Sequence, residues 1–186
     1  EETYDNIENI QKSIENITEI TDDIKLDLLK SEEISWEEQQ KIDNTFTEIE
    51  QIKEQIKNIQ STMEKVLENA EANNLFDENL SEKFEHLQEM LQNIMSPELM
   101  EAIQKLQEAM KNNDMNKIME SLEDYEFNIE KLEEQIDRFI DMFELALAEQ
   151  KLNEISKHLE NMINKQNELI DYMIDNQKTD YLNKKS

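Results

Sequence analysis

The side chains from which this chain could build a chemical site are 46 Asp and Glu, two His and ten Met, with no Cys. Carboxylates are so dense that any two helical turns supply a pair, so paired acids alone do not point to acid–base catalysis. A carboxylate-bridged di-iron bundle needs Glu-x-x-His on two inward-facing helices. Lys83 stands three residues before His86, and Ile155 three before His158, so that motif is absent. Glu154 lies four residues before His158, on one helical face, but a single such pair reads as a solvent-facing couple. Asp77-Glu78-Asn79 with Glu82 is the nearest approach to a calcium loop. It lacks the glycine and the ligand spacing of one, and reads as a loop and helix start.

Glycine is absent from the whole chain and proline occurs once. Phosphate-cradling loops need glycine where the backbone must approach the ligand closely, so Rossmann and Walker motifs are excluded. Nothing supplies the strained nucleophile turn of a Ser-His-Asp hydrolase. No catalytic residue, cofactor or metal site is expected, and no small-molecule substrate. The one candidate site is a partner groove. Met90, Met95, Met110, Met115 and Met119 concentrate with Met100 in one stretch, and flexible thioethers suit an adaptable peptide-binding surface. At helical spacing such residues are more often core filler.

What must position these residues is helix. Isoleucine recurs at three- and four-residue steps as Ile7, Ile10, Ile14, Ile17, then Ile24 and Leu28, with Thr21 the one polar member. The ladder resumes at Ile42, Ile49, Ile52, Ile56, Ile59, Met63 and Val66. Such a seam packs along its length against other helices, and isoleucine at both seam positions favours three or four helices around one axis.

The pattern predicts about six helices in an all-α, elongated antiparallel bundle or coiled coil. The first covers Glu2 to Lys30. Ser35 with Glu38 forms a capping box for a second that reaches Ala72, where Asn73-Asn74 stop it. Trp36 is placed to staple that helix start. A third covers Leu80 to Met95. Ser96-Pro97-Glu98 opens a fourth that reaches Lys111 and stops at Asn112-Asn113. A short fifth follows Asp114, and Tyr125-Glu126-Phe127-Asn128 breaks the chain again. The sixth runs from Ile129 to about Asn176. Its seam slips by two residues near Ala146 and Ala148, which demands local unwinding or a change of packing partner. The organisation is therefore an Ile-rich hairpin over 1–72, short Met- and Leu-rich helices over 73–127, a long helix over 128–177 packing on both, and a fraying tail over 178–186.

Net charge is −27, with −13 in residues 1–72, −9 in 73–127 and −5 in 128–186. That field repels nucleic-acid phosphates and anionic lipid surfaces. Protein partners or self-association through helical seams remain. No apolar run approaches the ~20 residues needed to span a bilayer, so this segment is not expected to insert in a membrane. The first residue is Glu1, which suggests a segment of something longer.

The stretch Ser96-Pro97-Glu98-Leu99-Met100-Glu101-Ala102-Ile103-Gln104-Lys105-Leu106-Gln107-Glu108-Ala109 carries a family resemblance. With Glu149-Gln150-Lys151-Leu152 and Lys165-Gln166-Asn167-Glu168-Leu169, it resembles large bacterial proteins of unknown function from Bacteroidetes-like lineages. Those proteins carry membrane helices near the N-terminus, followed by long Glu- and Gln-rich helical regions. The resemblance covers residues 84–177. It implies the soluble helical part of a membrane-anchored envelope protein and carries over no site residue. The expectation from sequence is a non-enzymatic scaffold for assembly or spacing, with the Met-rich groove, open to a peptide or basic partner, as the alternative.

Overall fold

The structure, a computed structural model, describes residues 2–31, 33–72 and 75–183. Among them are five helices and no strand: α1 (Glu2–Leu28), α2 (Trp36–Ala72), α3 (Glu78–Asn93), α4 (Pro97–Asn112) and α5 (Met115–Asn183). The protein is all-α, as its periodicity predicts, but with five helices in place of six.

The missing break explains the difference. Tyr125-Glu126-Phe127-Asn128 runs through α5 without interruption. No glycine or proline forces a stop there, and the Asn128 amide donates to the carbonyl of Asp124 one turn back, at 2.7 Å. That bond lets a turn-forming residue sit inside a helix. Tyr125 points into the core, while exposed Phe127 lies under the Lys131 ammonium, 4.3 Å from its ring centre. The tail expected to fray from 178 is also helical as far as Asn183. It too contains no glycine or proline to end the helix.

The five helices form four struts. Asn16 of α1 donates to Glu48 of α2, so the two fold back as a hairpin. Tyr4 of α1 packs on Phe143 of α5 at 5.8 Å between ring centres, and Lys25 of α1 donates to Glu126, so α1 and α5 are antiparallel. Lys83 of α3 bonds Glu149 and Lys105 of α4 bonds Asp124, so α3 and α4 follow one another down the same side of α5. Phe46 of α2 meets Tyr125 edge-on at 5.8 Å. The result is an up-down-up-down arrangement in which the third strut is broken at Pro97.

Local signals set the ends. The Ser35 hydroxyl accepts from the Glu38 amide at 3.2 Å while the Glu38 carboxylate accepts from the Ser35 amide, which is the reciprocal box the sequence predicts. Ser96 caps α4 by accepting from Leu99 N–H at 3.1 Å, with Pro97 at the first helical position. Asn113 ends it at φ 52°, and its N–H returns to the Met110 carbonyl at 3.1 Å. A chain without glycine uses the residue that tolerates the left-handed region best among the rest. The Asn73-Asn74 stop lies outside the described residues.

One continuous core runs from Ile7 to Ala146. The isoleucine ladders are buried as spaced, except that Leu67 takes the inward place expected of half-buried Val66. Each fully buried isoleucine contributes roughly 1.5–3 kcal/mol. The polar seam members Thr21 and Thr45 donate to the carbonyls of Ile17 and Ile42, at 2.7 and 2.8 Å, so their burial leaves no stranded hydroxyl proton.

Candidate functional site

The residues singled out for chemistry are mostly absorbed by structure. Asp77 is the N-cap of α3, accepting from Leu80 N–H at 2.8 Å, and its other oxygen accepts from Asn153 at 3.0 Å. Asn79 donates to Glu149 at 2.9 Å. The acidic cluster is thus a helix cap tied to α5, and the described residues include no group of three His, Cys, Asp or Glu that could hold a metal. His86 is exposed beside Glu89, 3.7 Å away. Glu154 accepts from Gln150 at 3.1 Å, and His158 faces solvent. Trp36, expected to staple the start of α2, is instead 75% exposed.

The methionines pack against the core. Met90, Met95, Met100, Met110, Met115 and Met119 are all half-buried there. Met90 lines one shallow cavity with Ile94 and Arg138, and Met110 lines another with Gln39 and Asp43. An open groove between α1 and α5 is edged by Glu15, Glu19, Asp22, Glu133 and Asp137. It is one part of a broad acidic face.

A polar layer crosses the bundle near Tyr125. The Lys25 ammonium, bonded to Glu126, is held above its ordinary lysine range by that hydrogen bond. Burial pushes the Tyr125 phenol well above its usual value, and the Thr45 hydroxyl beside it acts in the opposite direction. The phenol oxygen has no hydrogen-bond partner, so desolvation sets the direction.

The feature left unabsorbed is the far half of α5. Its buried seam keeps a strict 3-4 rhythm: Ile118, Leu122, Tyr125, Ile129, Leu132, Ile136, Phe139, Phe143, Ala146. Extended at the same rhythm, the seam next meets Gln150, Asn153 and Lys157, all polar. Asn153 and Lys157 bond Asp77 and the Leu75 carbonyl at the start of the third strut. The bundle therefore closes with a polar edge. A second seam begins two residues out of phase and runs Leu145, Ala148, Leu152, Ile155, Leu159, Met162, Gln166, Leu169, Met173. A shift of two residues is about 200° around a helix, so this seam points away from the bundle axis.

None of the described residues covers it. Every side chain from 154 to 174 is exposed. Leu152, Ile155, Leu159, Met162, Ile163, Leu169, Ile170 and Met173 are each more than half exposed. Single exposed leucines are ordinary, but a stripe of this length, interrupted at Gln166, is not. The sequence signals it through the slip at Ala146–Ala148. The helix does not unwind there; the seam changes face and leaves its partners behind.

Charge divides at the same place. Residues 150–186 hold six acids and six lysines, so the whole net −27 belongs to residues 1–149. No described helix is long and apolar enough to cross a membrane. No protein family, curated protein or solved structure matches the chain.

Proposed function

We propose that this chain is a non-enzymatic structural protein that spaces and assembles other chains through helical packing. The elongated four-strut bundle is its rigid body, and α5 beyond Asn153 is its interaction arm. The observation that carries this reading is the out-of-phase apolar seam from Leu152 to Met173, exposed along its length and interrupted at Gln166. An amphipathic helix left half bare is a surface awaiting a helical partner. The half-buried methionines favour this arm over a Met-rich groove as the site of contact. The resemblance of residues 84–177 adds the proposal that the arm works as the soluble part of a bacterial envelope protein.

Small-angle scattering tests the spacer. The 69 residues of α5 set a maximum dimension of about 100 Å for an extended arm. A particle of roughly 60 Å, with the arm folded back on the bundle, overturns the reading.

A further inference from the structure

We infer that the free arm of α5 pairs with the same segment of a second copy of this chain, antiparallel, across a two-fold axis close to Asn164. This rests on the reading of the arm as an interaction surface and names its partner.

Charge permits self-pairing at the arm and opposes it at the bundle. Beyond Asn153, α5 holds six acids and three lysines, a net of −3, whereas residues 1–149 carry −27. Two arms meet at a small Coulomb cost and two bundles at a large one.

The same charge selects the orientation. Parallel pairing sets the two −27 bundles side by side. Antiparallel pairing about Asn164 holds the two Asn153 positions, where each bundle closes, about 33 Å apart at 1.5 Å per residue, about four times the Debye length of about 8 Å at physiological salt.

The flanks of the seam agree. One edge carries Ile163 and Ile170, and the other carries His158 and Lys165. In a parallel pair each edge packs on the opposite edge of its partner, which sets Ile170 against Lys165. In an antiparallel pair each edge packs on its own counterpart, so Ile163 faces its own copy across the axis and Lys165 lies beside its own copy at the solvent edge. Leu159 faces Leu169, Ile155 faces Met173, and Met162 faces Gln166.

The area suffices. Eight large apolar side chains lie on the seam or its isoleucine edge between Leu152 and Met173. At roughly 80 Å² each, two arms bury about 1,300 Å², within the range of specific interfaces. Such a contact is isologous, so it closes as a dimer and does not propagate.

The chain has no cysteine, so introduced thiols report on pairing unambiguously. Sedimentation equilibrium of the full chain at micromolar concentration is expected to give twice 22.3 kDa. Leu159→Glu, which damages both halves of the interface at once, is expected to raise the dissociation constant about 100-fold or more. A mixture of Ile155→Cys and Met173→Cys chains is expected to form the mixed disulfide in preference to either like pair. A monomer at every concentration, a stable mass other than two copies, or a dominant Met173→Cys self-disulfide overturns the inference. If the chain is monomeric while scattering still shows the ~100 Å arm, the self-pairing is wrong and the spacer reading stands; a folded-back arm removes both.

Discussion

Ala146 is fully buried and Ala148, two residues on, is exposed, although both are small, apolar and in one unbroken helix. Their side chains project about 200° apart. Ala146 closes the seam that α5 shares with α1 and the third strut. Ala148 belongs to the seam that faces away from them. A helix can thus serve two masters in sequence, an internal core and then an external surface, by displacing its apolar stripe by two residues. The polar replacements at Gln150, Asn153 and Lys157 keep the internal core from running on past the bundle.

This division sets two different responses to the same mutation. Ile52 is fully buried in α2, so Ile52→Ala removes packed methyl groups and leaves a cavity. It is expected to cost about 2–5 kcal/mol in urea denaturation. Ile155→Ala removes side-chain atoms that are more than half exposed in a single chain. Measured at a concentration that keeps chains apart, it is expected to change stability by a few tenths of a kcal/mol, and in the stabilising direction, because alanine is the better helix former.

Tyr125 gives a pH-dependent prediction. Its folded pKa is raised by burial, so the folded chain holds the phenol proton when the unfolded chain has released it. The contribution is fully present below the unfolded value near 10 and is lost as pH rises above it, by an amount on the order of 1 kcal/mol at pH 11. Tyr125→Phe is expected to lessen that decline. At neutral pH the variant should be as stable as the parent or more so, since the hydroxyl it deletes is buried without a partner. Lys25, held above its ordinary value by Glu126, has the same sign, so the variant retains a shallower fall. Melting curves at pH 7, 10 and 11 check both parts.

Asn113 is the described non-glycine residue with positive φ, at 52°. Asn113→Ala is expected to destabilise by about 1 kcal/mol, because a Cβ in the left-handed region meets the following carbonyl and alanine lacks the compensating side-chain polarity. Asn113→Gly is expected to be neutral or mildly stabilising. Denaturant midpoints of the two variants decide it, and a loss from glycine equal to that from alanine means the side-chain amide matters more than the backbone angle.

The ladder from Ile7 to Leu28 and the Ser35–Glu38 box are legible in sequence because periodicity and capping are local physics. Tyr125 to Asn128 are misleading for the same reason. A cluster of turn-forming and aromatic residues resembles a break, but burial of Tyr125 and the Asn128 bond to Asp124 O outweigh local preference. The free seam is half legible. Its residues and its two-residue slip stand in the sequence, but an apolar stripe does not say what covers it. That depends on where α1 and the third strut end against Phe143 and Glu149, which is a long-range fact. The methionines illustrate the converse. Their density is visible, but only packing places them against the core.

The two halves of α5 should also differ in how they open. Amides from Ile118 to Ala146 lie in the buried core, so their exchange with solvent deuterium is expected to require global unfolding. Amides from Ile155 to Met173 sit in a helix with exposed side chains throughout, held by its own propensity. An isolated helix of that length is marginal in water, so single chains should exchange there orders of magnitude faster than in the core. Pairing of the arms links helix formation to association, and protection of this stretch should then rise with protein concentration while that of the core stays constant. Exchange measured by mass spectrometry across a hundredfold dilution reads both halves at once. Uniform slow exchange along α5 at the lowest concentration would show that the arm is stabilised within its own chain.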